Sequence, residues 1–384
     1  MHLKNYANGN STVQRVIYSF IFFICFFRIS LINSNLYLSL IFGVGGLVLA
    51  FYPNNRSMLL KSIPTVAILF LFFMFFYSLA VDLVTGNLFE YYASSFAIRI
   101  LFMIFCSILP AYFIVKMFLR GSSTLLRKIM FMAFALQLIF FAASYLIPGV
   151  KPLLYGLMGA SDSVNLLKWN METRGFGLSN EINYTSPFLM VVLSIFFFKN
   201  IFFKLIVLLT QVVNSNNTVI AAILGGLFSK LSFLVKLFLF TSSFLFFAFV
   251  AIKYLPRFSN EFANGGFYTI EVLFNKHFYA INHNILEVIA GTGVYVYGGA
   301  SKYLSDMGFV IIFNYGGVIY SLLFSSFILL CCLRVGYSFS FVFLWVLVGI
   351  VLNLKGLLLG ANGYVFMTFL FLFNRFYRIN LKSV

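Results

Sequence analysis

The residues able to do chemistry are few, and several fall together. Lys168, Glu172, Arg174 and Glu181 lie within positions 168–187, between long apolar runs, in a chain that is 62% hydrophobic and only 9% charged. Polar groups in or beside a bilayer cost free energy unless they are paired or put to use. Arg174 offers a planar fork suited to phosphate oxygens. Glu181 could accept a proton, and Asn183 adds a polar contact close by. Gly175 and Gly177 let the backbone turn tightly or approach a ligand closely. The bland alternative is an interfacial loop in which Arg174 and Glu181 pair with each other or with lipid headgroups. A GxG alone matches neither a dinucleotide-binding nor a P-loop pattern.

A second group contains Arg257, Glu261, Glu271, Lys276, His277, His283, Glu287, Lys302 and Asp306. The stretch Glu271 to Glu287 predicts one amphipathic helix lying near an interface. His277 and His283 are six residues apart, poor spacing for two metal ligands on one helical face. A solvated or headgroup-facing role suits them, and either could serve as a proton acceptor. No metal site and no cofactor is expected. All four cysteines, Cys25, Cys106, Cys331 and Cys332, sit in apolar runs, away from disulfide or metal-ligand spacing.

The elements that must position these residues are membrane helices. A mean hydropathy of +1.01 excludes a soluble globular domain, and continuous apolar runs read as spans rather than strands. Spans are predicted near 16–33, 36–52, 63–83, 96–115, 129–147, 185–198, 202–213, 218–229, 237–254, 307–331, 338–354 and 356–373. The net charge of +17 could suggest nucleic acid, but its distribution does not. With the N-terminus inside, the inner breaks carry Lys and Arg without acids, and all nine acids fall at or beyond the opposite face. That is the positive-inside pattern. Residues 201–229 are read as two short spans broken at Asn214-Ser215-Asn216-Asn217, which keeps Lys199/Lys204 and Lys230/Lys236 on one side. The start of the chain reads as an uncleaved signal anchor.

The expected fold is therefore an all-α polytopic integral membrane protein of about twelve transmembrane helices with both termini cytoplasmic. Residues 1–384 form a single membrane domain with two long outer loops, 148–184 and 255–306, which suggest work at that face. Arg28 and Arg99 lie in spans toward the outer leaflet, with Asp82 at the same level. Snorkelling or pairing with Asp82 would explain them. The functional alternative joins Arg28, Arg99, Arg174, Lys253 and Arg257 into a cationic basin for an anionic leaving group.

The stretch Arg174-Gly-Phe-Gly-Leu-Ser-Asn-Glu181-Ile-Asn183, opening a span after an outer loop, resembles the Arg-x-x-Gly-x-x-x-Glu-x-Asn-like stretch of bacterial O-antigen polymerases, the Wzy family, which is related to the O-antigen ligases. The second loop is also similar, with Gly291-Thr-Gly293, then Ser305-Asp306-Met-Gly308, then Tyr315-Gly316-Gly317 inside a span. The likeness covers roughly 170–320 and the overall topology. One departure is the break at Asn214 to Asn217, where relatives often carry a Ser-Arg pair and this chain has no cation. The resemblance implies a GT-C-like glycosyltransferase in the bacterial inner membrane, with its loops facing the periplasm and no metal or cofactor.

The expected reaction joins undecaprenyl-pyrophosphate-linked oligosaccharide repeat units. Arg174 would hold pyrophosphate, assisted by Arg257, Lys276, Arg99 or Arg28. Glu181 is the first candidate base and His277 or His283 the second; Asp306 would orient a basic residue or bind sugar hydroxyls. Partners would be the bilayer, the lipid-linked glycans, and a chain-length regulator and flippase of the same pathway. A lipid-linked oligosaccharide flippase or an O-antigen ligase is the alternative reading.

Overall fold

The computed structural model describes residues 12–30, 37–87, 95–158, 175–180, 185–215, 217–246, 249, 268–281, 284–296 and 305–382. These residues are all-helical, without a strand among them. The helices are α1 (Thr12–Phe27), α2 (Ser39–Phe51), α3 (Pro53–Ser62), α4 (Thr65–Thr85), α5 (Phe96–Leu119), α6 (Ser123–Leu146), α7 (Val150–Leu157) and α8 (Thr185–Phe197). There follow α9 (Ile201–Asn214), α10 (Thr218–Phe228), α11 (Phe233–Phe246), α12 (Tyr268–Lys276), α13 (Ile285–Ala290), α14 (Gly308–Val335), α15 (Phe339–Leu354) and α16 (Gly363–Lys382). Each predicted apolar run holds one helix, and α4, α5, α6 and α14 are long and apolar enough to cross a membrane. Helices α3, α7, α12 and α13 are the additional, shorter ones.

Two helices form the centre. In α16 every residue from Tyr364 to Phe373 is buried, and in α8 the same holds from Ser186 to Ile195. A helix that is apolar on every side finds its place inside a bundle, because no face of it needs to be polar. Trp345 of α15 stacks on Tyr364 at 5.0 Å and donates its indole N–H to Thr368 at 2.8 Å, which satisfies the one polar atom of the ring. The outer helices instead turn Phe72, Phe73, Phe76 and Leu69 outward, as suits a lipid-facing surface.

Helix α5 carries a π-turn at Ile104–Ile108 just before Pro110, whose ring supplies no N–H. Helix α2 packs onto this turn through Gly43 and Gly46. A Cβ on Gly43 would collide with Phe105 O, and one on Gly46 would lie 3.0 Å from Leu109 C. Small residues at this spacing let two backbones meet, the usual way helices associate in lipid.

Two expectations are corrected. The single helix over Glu271 to Glu287 is two helices, α12 and α13, with non-helical backbone at 277–281 after α12. Asn314 of α14 explains the break: its Oδ1 accepts from Ile281 N at 2.8 Å and its Nδ2 donates to Tyr279 O at 3.1 Å. Those backbone groups are thereby taken from any continuous helix, and Asn284 caps the new start by accepting from Glu287 N at 2.9 Å. The last helix starts at Gly363 rather than near 356. Asn362 accepts from Val365 N at 2.8 Å and donates to Leu358 O at 2.8 Å, so it caps α16 and closes the preceding turn together.

Candidate active site

The stretch between Arg174 and Glu181 is a buried rail. Tyr155 of α7 donates to Gly175 O at 2.9 Å. Asn214, at the end of α9, accepts from Phe176 N at 3.0 Å and donates to Phe176 O at 2.9 Å. Ser144 and Gln137 of α6 accept from Gly177 N at 2.8 Å and Leu178 N at 3.1 Å. Ser179 donates to Phe27 O at 3.1 Å, and Asn180 donates to Arg28 O at 2.7 Å. Every residue from Gly175 to Asn180 is thus tied by backbone or side chain to α1, α6, α7 or α9. Buried non-helical backbone needs partners for its polar groups, and these contacts supply them for Gly175 O, both groups of Phe176, Gly177 N and Leu178 N.

The glycines are required here. Gly177 has φ of 106°, and a Cβ on it would lie 2.6 Å from Gln137 Nε2. Phe176 is buried, and the Lys151 ammonium of α7 sits 3.9 Å from the centroid of its ring. Burial pushes the Lys151 ammonium down to about 8 and the Tyr155 phenol up.

Arg28 closes α1 in the left-handed region, with φ of 54°. Its guanidinium lies 4.3 Å from the centroid of Tyr37 and donates to that tyrosine's hydroxyl. Tyr37 in turn meets Phe102 of α5 edge-on at 6.0 Å. Arg99, on the same helix, stands 5.1 Å from the Tyr295 ring and donates to its hydroxyl. Each cation is thereby held against the ring and hydroxyl of a tyrosine. Asp82 has other work. It accepts from Tyr315 Oη at 2.6 Å, Ser95 Oγ at 2.7 Å and Ala97 N at 2.9 Å, and it is fully buried. The considered pairing of Asp82 with Arg28 or Arg99 is replaced by this hydroxyl and amide cage at the start of α5.

Residues Thr292 and Gly293 dock on the N-terminal half of α14. Gly293 N donates to Tyr315 O at 3.0 Å and Thr292 N to Asn314 O at 2.9 Å. Those carbonyls are free because α14 breaks at Gly317, with φ of 64° and ψ of −160°. A Cβ on Gly317 would lie 2.6 Å from Gly291 N. Between α4 and the segment Gly291 to Gly293 is a cavity of ≈ 310 Å³ lined by Tyr77, Val81, Thr85 and Gly291 to Gly293. Tyr315 stacks on Phe96 at 3.8 Å, and Phe96 meets Tyr295 at 5.9 Å, so the docked loop and Arg99 belong to one aromatic cluster.

Among the predicted site residues, Arg174, Glu181, Asn183, Arg257 and His283 lie outside the described residues. Lys276 ends α12, and nothing described brings it to the rail. His277 Nδ1 accepts from Asp306 N at 3.2 Å, and its Nε2 is 4.0 Å from Asp306 Oδ2. This geometry uses His277 to tie the start of the segment after α12 to the residue that leads into α14. Asp306 remains exposed and faces this imidazole. Among the described residues no cluster of three or more His, Cys, Asp or Glu could hold a metal ion.

Sequence reasoning missed Lys151, Tyr155, Gln137, Ser144, Tyr37 and Tyr295. Two signals were available. Gln137 and Ser144 are seven apart in the apolar part of α6, hence on one face, and Lys151 and Tyr155 are four apart. Tyr37 and Tyr295 had no such signal, since only the fold sets them beside Arg28 and Arg99. Comparison with protein families, with curated proteins and with solved structures finds no match to this chain.

Proposed function

We propose that this chain is an O-antigen or surface-polysaccharide polymerase of the bacterial inner membrane, with twelve spans, a GT-C-like arrangement and both long loops in the periplasm. The observation that carries the reading is the rail. Arg174 and Glu181 are covalently joined to the two ends of a segment fixed at every residue, as a phosphate-holding cation and a base must be if they are to act on one substrate. Arg28 and Arg99, oriented on tyrosines at helix ends that meet the rail and the docked loop, supply further positive charge.

In the proposed reaction, a sugar hydroxyl of one lipid-linked repeat unit attacks the anomeric carbon of a glycan carried on undecaprenyl pyrophosphate. The new C–O bond forms as the bond to pyrophosphate breaks, and the electron pair leaves on the pyrophosphate oxygen. The hydroxyl proton passes to Glu181 and then to solvent. Arg174 stabilises the charge that develops on the leaving group. Flippase and chain-length regulator are the expected partners, and no nucleic acid is involved.

The test is electrophoresis of surface polysaccharide from a strain lacking this gene and from one carrying Arg174→Ala. A core bearing a single repeat unit in both strains supports polymerisation. Bare core with units accumulating outside would make the chain a ligase, and accumulation inside a flippase. An unchanged ladder in the deletion strain would overturn the glycan reading.

A further inference from the structure

The cavity of ≈ 310 Å³ between α4 and the segment Gly291 to Gly293 has a wall whose donors are all spent. The Tyr77 hydroxyl donates to Ala290 O, Thr85 Oγ1 to Val81 O at 2.9 Å, and Thr292 Oγ1 to Asn314 O at 2.8 Å. Gly291 N donates to Glu287 O at 2.7 Å, Thr292 N to Asn314 O at 2.9 Å, and Gly293 N to Tyr315 O at 3.0 Å. A hydroxyl that has given its proton still has lone pairs, so Tyr77 and Thr85 can accept but not donate. No cation and no carboxylate is among the residues that line the cavity. Its floor is bare backbone: Gly291 and Gly293 have φ of 79° and 71°. A Cβ on Gly293 would lie 2.9 Å from Thr85 Cγ2, so a side chain there would push the segment off α4. The Tyr77 ring forms a further wall, held by its bond to Ala290 and by Tyr320 at 5.6 Å.

We propose that this cavity is a sugar subsite, which takes one sugar ring of the lipid-linked glycan and not its pyrophosphate. The proposal rests on the polymerase reading for the identity of the glycan, and on the cavity wall for the class of ligand. A sugar ring is neutral, donates from the hydroxyls around its rim, and has C–H faces that pack on aromatic and aliphatic surface. The wall answers each feature, with acceptors at Tyr77 and Thr85, the ring of Tyr77, and the side chain of Val81. A phosphate needs cations or N–H donors, and this wall supplies neither. A cation would enter with no carboxylate to compensate it. The volume is at the lower end of the roughly 300–1,000 Å³ of small-molecule sites, which suits one ring rather than a whole repeat unit. The order of residues along the chain agrees. Tyr295, two residues past Gly293, holds Arg99 against its ring and hydroxyl, and two residues of chain reach at most about 7 Å. One short segment therefore borders a neutral cavity and carries a cation close by, as the sugar and the phosphate of one substrate require.

The experiment uses the full-length protein and, as probe, the repeat-unit oligosaccharide freed from its lipid and pyrophosphate. Binding is read by saturation-transfer NMR for native protein, Thr85→Val and Ala80→Trp. Thr85→Val keeps the shape of the side chain and removes one acceptor. Ala80→Trp grows a ring from an exposed position of α4 that lines the cavity. Polymerisation of undecaprenyl-pyrophosphate-linked units in proteoliposomes and thermal midpoints are measured on the same preparations. The expected result is saturable binding to native protein, weaker by about 3–10-fold in Thr85→Val, the worth of one hydrogen bond. Ala80→Trp, which occupies the space itself, should weaken binding by about tenfold or more. Midpoints should stay at the native value, and KM for the lipid-linked unit should rise in the same order. No binding to native protein, or equal affinity in all three, would overturn the subsite; polymer still formed by native protein would leave the polymerase reading standing. Weakening by Ala80→Trp without any by Thr85→Val would give the cavity to a hydrocarbon chain and overturn the proposal too. No polymer from native protein would remove the polymerase reading, whereas oligosaccharide binding weakened by Thr85→Val would still keep the sugar subsite.

Discussion

Replacing Asn214 by Leu should release the rail. Asn214 is fully buried and makes two bonds to one residue, accepting from Phe176 N at 3.0 Å and donating to Phe176 O at 2.9 Å. Leucine fills nearly the same space and offers neither partner. Each buried backbone group left unsatisfied costs about 1–3 kcal/mol, so two cost about 2–6 kcal/mol. At about 1.4 kcal/mol per tenfold, the lower bound alone raises the population of the opened segment roughly 30-fold. Limited trypsin digestion of the purified protein reads this directly. Cleavage after Arg174 requires Gly175 and Phe176 to leave their partners and enter the protease, and when opening is fast the rate follows the opened population. Cleavage after Lys168 serves as the internal reference. The expected outcome is a ratio of Arg174 to Lys168 cleavage at least roughly 30-fold higher in Asn214→Leu than in native protein. Asn353→Leu is the control, since Asn353 accepts from Leu358 N at 3.2 Å in another part of the fold and should leave the ratio unchanged. An unchanged ratio in Asn214→Leu would refute the claim that Asn214 holds the rail. An equal rise in Asn353→Leu would mean that general loosening, and not the two bonds to Phe176, opens the segment.

Two further outcomes are expected. Gly317→Ala places a side chain where φ is 64° and 2.6 Å from Gly291 N, which should destabilise the protein by about 2 kcal/mol or more, read as a lower thermal midpoint in detergent. For Lys151, the folded value of about 8 lies below the ordinary 10.5. The unfolded chain therefore binds more protons between those values, and stability should rise with pH across that window. Burial pushes Tyr155 up, so it stays protonated through the window.

Much of this protein was legible in the residues taken one after another. Apolar runs must become helices in lipid, whatever the rest of the chain does, because each backbone has to satisfy itself; every predicted run indeed holds a helix. The break between α9 and α10 was legible too, since Asn214 to Asn217 cannot be carried through an apolar run without partners. The glycines at 175 and 177 pointed to unusual backbone, and both have positive φ. What the order of residues left open was which polar group answers which. Gln137, Ser144, Tyr155 and Asn214 are scattered over three separate elements, and only tertiary packing gathers them around the six residues from Gly175 to Asn180. The split into α12 and α13 was equally out of reach, because the local pattern favours one amphipathic helix. It is Asn314, a distant residue buried in α14, that draws the backbone of Tyr279 and Ile281 out of it. Asp82 makes the same point. Its charge invited an arginine partner by proximity of level, whereas the fold brought it a tyrosine hydroxyl, a serine and an amide, three donors that satisfy a buried carboxylate as well as a cation would. Local physics sets the helices, because each helix's hydrogen bonds are its own; the site belongs to the tertiary structure, because its polar groups find partners only across helices.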